Sequence, residues 1–230
     1  HENVLKFTNW YETTNHLWVI TEYCTGGSLK QLLELDRGLP ERCTRTFGFD
    51  IVKALAYVHS RGVLYADLKP SNVLIDDCAV LRLYDFGLAQ SVETAAKGLR
   101  VGTPSYMAPE LFLEGGVHSY ASDLWALGCV LFELATGKPP FVDSKLQTLI
   151  GRIVNDPTPK VGESYSSSFQ DLVDGLLHKD PLQRATWADV FASDFWAGAA
   201  PAKAAPPALP PQPAFEAYRK TRGDAADDER

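Results

Sequence analysis

The reading of this chain turns on Tyr65-Ala66-Asp67-Leu68-Lys69-Pro70-Ser71-Asn72, followed at a short distance by Asp85-Phe86-Gly87. Asp67 is a carboxylate able to take a proton from an attacking hydroxyl. Asn72 and Asp85 offer hard oxygen atoms of the kind Mg²⁺ prefers, and Lys69 adds a positive charge beside them. That set suits a phosphate chain carried by Mg²⁺. Working outward, Val73-Leu74-Ile75 and Val80-Leu81-Arg82-Leu83 flank Asp76-Asp77, a good hairpin turn. The turn brings Asn72 and Asp85 together at the open end of the hairpin, as two ligands of one metal require. Val63-Leu64-Tyr65 reads as a short strand leading into the Asp67 loop.

Upstream, Val4 to Trp10 and Leu17 to Glu22 are rich in β-branched and aromatic residues and are separated by the polar Glu12-Thr13-Thr14-Asn15. This predicts a hairpin, and a lone hairpin needs further strands or a helix to cover it. Ser28-Leu29-Lys30-Gln31 is a capping box opening a short helix. Leu39-Pro40-Glu41 opens a longer one, with proline at the first helical position and Phe47, Ile51, Leu55 and Val58 on its buried face. Ser119 to Thr136 reads as a central buried helix closed by Gly137 and Pro139-Pro140. Further helices are predicted over Lys145 to Asn155, Ser168 to Leu177 and Trp187 to Ala192.

The 230 residues, 45% hydrophobic and 22% charged, predict one soluble globular domain with a real core. A net charge of −7 argues against a nucleic-acid surface. Cys24, Cys43, Cys78 and Cys129 are scattered, without zinc spacing, and are expected to be reduced and mostly buried. The chain begins His1-Glu2-Asn3, with neither an initiator Met nor a signal-peptide core. Its longest apolar run, Leu124 to Ala135, carries Glu133 and is too short to span a bilayer. No membrane partner is expected, and the predicted compartment is the cytoplasm. After Trp196 the composition turns to Ala and Pro and then to the charged run Arg222 to Arg230, which predicts a disordered tail over 197–230. Pro207-Ala208-Leu209-Pro210 fits a PxxP ligand, a pattern common by chance.

The Asp67 stretch, Asp85-Phe86-Gly87 and the run Gly102-Thr103-Pro104-Ser105-Tyr106-Met107-Ala108-Pro109-Glu110 together resemble a eukaryotic protein kinase domain of the serine/threonine type. The resemblance implies an α+β, protein-kinase-like fold, mainly the helical C-terminal lobe with a remnant of the N-lobe sheet. Residues 1–24 would be partial N-lobe strands and hinge, 25–196 the C-lobe, and 197–230 the tail. It implies Asp67 and Lys69 as catalytic residues and Asn72 and Asp85 as ligands of Mg²⁺. ATP would be held by Glu22, Cys24, Lys69, Asn72, Leu74 and Asp85. The hinge Thr21-Glu22-Tyr23-Cys24 would hold adenine through its backbone, with Thr21 as a small gatekeeper. Lys69 would contact the transferred phosphate, and Thr103 would hydrogen-bond Asp67 and Lys69. Glu110 would pair with Arg184, and Asp123 would brace the catalytic-loop backbone. A protein substrate is implied.

Two departures from the family pattern shape the functional expectation. The resemblance begins at the fourth strand of the small lobe, so the 230 residues hold no Gly-rich loop, no Val-Ala-Ile-Lys lysine and no helix with its glutamate partner. These residues alone are therefore expected to bind nucleotide weakly, to transfer little phosphate and to expose an aggregation-prone hairpin edge. The second departure is Tyr65-Ala66-Asp67 where the family usually has His-Arg-Asp. Tyr65 can still stack on Phe86, but Ala66 cannot read a phosphate as arginine does. Phosphorylation among Ser91, Thr94 and Thr103 is accordingly not expected to switch the protein on. Asn9-Trp10-Tyr11-Glu12-Thr13, His16-Leu17-Trp18 and Cys24-Thr25-Gly26-Gly27-Ser28-Leu29 look most like the Fused-type branch, whose members are linked to microtubules and cilia. Two functions stay open: a serine/threonine kinase, or a pseudokinase scaffold acting by protein binding.

Overall fold

In the computed structural model, which describes residues 1–93, 95, 101–198 and 205–228 (for 221–228 the backbone alone), a hairpin is followed by two helices, four short strands and then five more helices. β1 (Phe7–Glu12) and β2 (Leu17–Thr21) form an antiparallel hairpin with a register shift between Phe7 and Asn9. Every residue of both strands is exposed. β1 starts later than the sequence predicts because Asn3 to Leu5 leave the hairpin for another partner. Leu5 N–H donates to the Leu83 carbonyl at 2.9 Å, and Leu83 N–H donates to the Asn3 carbonyl at 2.8 Å.

α1 (Leu29–Asp36) has the predicted capping box between Ser28 and Gln31. α2 (Glu41–Ser60) has Pro40 as its cap residue, so the helix starts one residue later than expected. Its buried surface is wider than one stripe, since Phe49, Val52 and Ala54 join Ile51, Leu55 and Val58 inside while Phe47 is half-buried. β3 (Val63–Leu64) is followed by the hairpin of β4 (Val73–Ile75) and β5 (Leu81–Leu83), and it pairs with β6 (Gln90–Ser91) beyond that hairpin. Asp76 makes the turn by accepting the N–H groups of Cys78 and Val80, each at 2.9 Å, on one carboxylate oxygen.

α3 (Tyr120–Thr136) is apolar on every side, so it can be satisfied only inside a core. All but three of its 17 residues are buried. Ser119 caps its start, and Gly137 ends it at φ 75°, where a β-carbon would come within 2.5 Å of the Arg37 carbonyl. α4 (Leu146–Asn155), α5 (Ser167–Leu176) and α6 (Trp187–Ala192) complete the body within a residue of their predicted bounds. α3 packs against α2 on one side and α5 on the other. Gly128 permits the second approach, since a β-carbon there would lie 2.8 Å from Leu176 Cβ and 2.9 Å from Leu177 Cδ2. Complete burial of Leu127, Val130, Phe169 and Phe195 stabilises by roughly 1.5–3 kcal/mol apiece, which centres the stability of the body on α3.

Beyond the Ala/Pro stretch, within the span expected to be a tail, α7 spans Pro213–Asp228. The prolines stop at Pro213, which opens the helix where a missing N–H costs nothing, and no later residue blocks it. Residues 199–204 and 229–230 of that tail lie outside the described residues. All four cysteines are free, but only Cys24 and Cys129 are buried; Cys43 is half-buried and Cys78 is exposed. No helix among the described residues is long and apolar enough to cross a membrane.

Candidate active site

The Asp67 loop leaves β3 through a backbone that needs outside support. Ala66 sits at φ 65°, a left-handed conformation that costs a residue with a β-carbon roughly 1–2 kcal/mol. Asp123, in the first turn of α3, provides the support by accepting Tyr65 N–H at 2.7 Å and Ala66 N–H at 2.9 Å, one on each oxygen. Asp123 is itself buried, so its charge requires donors. A third comes from His59, whose Nε2 lies 2.9 Å from Asp123 Oδ2. Trp187 Nε1–H donates to His59 Nδ1 at 3.0 Å. An indole nitrogen can only donate, so the imidazole proton is on Nε2, facing Asp123.

Held in this way, Asp67 is the centre of a compact polar cluster. Thr103 Oγ1 donates to Asp67 Oδ1 at 2.7 Å, and Lys69 Nζ donates to Asp67 Oδ2 at 2.6 Å. Lys69 Nζ also donates to Thr103 Oγ1 at 2.8 Å, which closes a ring of three side chains. Asn72 Nδ2 donates to Asp67 Oδ2 and to the Asp67 carbonyl, both at 3.0 Å. Asp67 is 8% exposed, so its carboxylate is oriented by these partners more than by water. Thr103 arrives from 36 residues along the chain, and its contacts are those the family resemblance implies.

Asp85 follows β5 at the open end of the β4–β5 hairpin, beside Asn72. Tyr84 N–H donates to the Asn72 carbonyl at 3.1 Å, so the two proposed metal ligands leave adjacent positions. Asp85 is also left-handed, at φ 61°, and its Oδ1 accepts Gly87 N–H at 3.2 Å. With its amide nitrogen committed to Asp67, the oxygen of Asn72 is the atom that residue can offer to a cation. An amide oxygen and a carboxylate fit Mg²⁺. Beside Asp85 opens a cavity of about 550 Å³ bordered by Leu5, Phe7, Val19, Thr21 and Phe86. Thr21 lies on its wall, as a gatekeeper would.

Other residues singled out in the sequence are placed less uniformly. The Tyr65 ring meets Phe86 edge-on, at 5.3 Å and 84°, and does not stack on it. The phenol of Tyr65 donates to the Tyr84 carbonyl, and burial, with Asp85 and Asp67 nearby, pushes it well above the ordinary tyrosine value. Gly26 N–H donates to the Ile75 carbonyl and Ile75 N–H donates to the Gly27 carbonyl, both at 2.9 Å, which lays the segment after Cys24 along β4, the strand of Leu74. Cys24 is buried, and desolvation, aided by Glu22, pushes its thiol up. Glu22 itself accepts Lys6 N–H at 2.8 Å and lies 3.9 Å from Arg82, turned to these partners and not to the Asp67 cluster. Glu110 and Arg184 form a forked, buried pair at 2.7 and 2.8 Å. Ser91 lies in β6, Thr103 is committed to Asp67 and Lys69, and Thr94 lies outside the described residues. The sequence reading missed His59, Trp187 and the Tyr106–Glu133 bond of 2.7 Å. No local pattern marks them, because each partner comes from a distant element.

The protein kinase domain family matches residues 1–196. The chain is 49% identical over 219 residues to serine/threonine-protein kinase RUNKEL of Arabidopsis thaliana, a match covering 94% of the chain and 16% of that protein. It is 38% identical to serine/threonine-protein kinase ULK4 of Mus musculus, covering 85% of the chain and 17% of that protein. Identity to serine/threonine-protein kinase 36 of Mus musculus is also 38%, over 86% of the chain and 15% of that protein. The chain thus spans about one-sixth of the length of these curated relatives.

Proposed function

The chain belongs to the protein kinase domain family, serine/threonine type, and from that premise we propose that the Asp67 site transfers the γ-phosphoryl group of ATP to a serine or threonine hydroxyl of a protein substrate. Members of the family use ATP and Mg²⁺ and bind protein substrates. The observation that carries the reading is the closed ring of Asp67, Lys69 and Thr103, with Asn72 on the same carboxylate. A residue kept only for packing has no need of three polar partners from two separate segments.

In this reading Asp67 accepts the proton of the attacking hydroxyl as its oxygen bonds to the γ-phosphorus. The bond from that phosphorus to the β,γ-bridging oxygen breaks, and ADP leaves with the electron pair. Lys69, already within reach of Asp67, lies against the transferred group. Asn72 and Asp85 would hold Mg²⁺, which would supply charge neutralisation on the phosphate oxygens. Thr21, Cys24 and Leu74 border the nucleotide. The place of work is the cytoplasm, with microtubule- or cilium-associated partners as the Fused-type resemblance implies. Co-pelleting of the complete protein with microtubules tests that part.

A scaffold acting by binding is the second reading, and Ala66 favours it: at φ 65° and without a polar side chain, it gives an activation-loop phosphate no partner at this position. One experiment separates the two. The complete protein and its Asp67→Asn variant are incubated with ATP, Mg²⁺ and a serine/threonine peptide library. Transfer is expected to fall by about 10²–10⁴-fold in the variant. Equal incorporation by both proteins, or none by either, would overturn the kinase reading.

A further inference from the structure

The segment that follows the family-matched residues is tied to the body. Along 205–220, Pro207, Pro210, Gln212, Ala214, Phe215 and Tyr218 are half-buried while most of their neighbours are exposed. The period is three through the prolines and then helical, so one face of each part turns inward. Pro210 rests on Gly62, where a β-carbon would lie 3.4 Å from the proline Cγ. The Pro210 carbonyl accepts the Tyr120 hydroxyl at 3.4 Å, and Gln212 Oε1 accepts Tyr120 N–H at 2.8 Å. Gln212 also starts α7, its carbonyl accepting Glu216 N–H at 3.0 Å.

Tyr120 is the first residue of α3, and its N–H is one of the four at a helix start that find no partner inside the helix. The capping side chain of Ser119 serves Ser122 N–H, not Tyr120. Gln212 therefore caps α3 from 92 residues away. Tyr120 is 3% exposed, and its ring centre is 4.5 Å from that of His59. His59 donates to Asp123, and Asp123 holds the N–H groups of Tyr65 and Ala66 beside Asp67. Every step from Gln212 to the Asp67 loop is a direct contact.

We propose that Gln212 is a positioning residue for the Asp67 loop, acting through Tyr120, His59 and Asp123 from outside the kinase-family segment. The PxxP-like prolines serve in the same device, laying the strap across Gly62 so that Gln212 reaches α3. The proposal rests on the phosphoryl-transfer reading only for its effect on rate; its effect on the loop stands apart from that reading.

The test uses the complete protein with Gln212→Ala and Gln212→Glu. A glutamate keeps the accepting oxygen, and its charge suits a helix start. Hydrogen exchange is read at the amides of Tyr120, Tyr65 and Ala66, and kcat and KM for ATP are measured in parallel. In Gln212→Ala, exchange at all three amides is expected to accelerate by on the order of fivefold, the size of one lost cap. The kcat should fall by a similar factor with KM unchanged, and Gln212→Glu should restore both. A merely local cap would accelerate Tyr120 alone and leave Tyr65, Ala66 and kcat at wild-type values, and that result overturns the proposal. If the wild type transfers no phosphate, the phosphoryl-transfer reading fails by itself, and exchange at Tyr65 and Ala66 still decides the role of Gln212.

Discussion

The β1–β2 hairpin and α3 are both rich in apolar and aromatic side chains, yet the hairpin shows Trp18 at 55% and Leu17 at 63% exposure while α3 buries Trp125 and Leu131 completely. The hairpin is defined by its backbone ladder, and both of its faces remain open. α3 is defined by what surrounds it, α2 and α5 closing on it from two sides. Apolar content therefore does not by itself say where a core is. Cooperative stability belongs to the body around α3, while the apolar side chains of the hairpin are left uncovered by the described residues.

The comparison can be broken hardest in the body. Arg184→Ala leaves Glu110 buried without its partner and is expected to cost about 3–5 kcal/mol in urea unfolding. A loss below about 1 kcal/mol would show that the pair is not part of what holds the body together.

A smaller effect is expected where α3 meets α5. Gly128→Val places atoms where Leu176 and Leu177 already sit, at a cost of about 1–3 kcal/mol seen as a lower thermal midpoint. Gly151→Ala on α4, with open space around its β-carbon, is the control and should stabilise by about 0.4–1 kcal/mol. A Gly128→Val midpoint at or above that of the wild type would contradict the packing described here.

The third test uses pH. Lys179 Nζ donates to the Ile153 carbonyl at 2.6 Å and stands 4.0 Å from the centre of the Phe141 ring and 5.0 Å from that of Trp125. Burial nonetheless pushes its ammonium down to about 8 from the ordinary 10.5. Between those two values the unfolded chain holds more protons, so the contribution of Lys179 to stability rises with pH across that window and is flat below it. The carbonyl and the ring faces favour the charged form and keep the rise modest. Urea midpoints at about pH 7.5 and about pH 9.5 should show a larger upward shift in the wild type than in Lys179→Met. Parallel shifts in the two proteins would remove Lys179 from the account.

The smallest effect on stability is expected in the hairpin. Phe7→Ser with Trp18→Ser, both residues exposed, should change unfolding free energy by no more than about 0.5 kcal/mol per site. Light scattering should show less self-association at the same time. A loss of about 2 kcal/mol or more would mean that the hairpin unfolds with the body, and the distinction drawn here would collapse.

The sequence by itself determined whatever depends on neighbours along the chain. The capping box at Ser28, the turn at Asp76, the stop at Gly137 and the bounds of α4 to α6 are local events, and each is legible in a few residues. The Asp67, Lys69, Asn72 and Asp85 pattern was legible because a short loop and a short hairpin fix those spacings. Tertiary structure decided the rest. Asn3 and Leu5 turn to β5 because the Leu83 backbone offers them partners, which no propensity records. The tail holds a helix because its prolines end at Pro213 and Gln212 finds Tyr120. The strained turn at Ala66 persists because Asp123, 57 residues away, takes its N–H, with His59 and Trp187 fixed behind it. Such contacts join elements that are far apart in sequence, and their energy exists only once the chain has closed around α3.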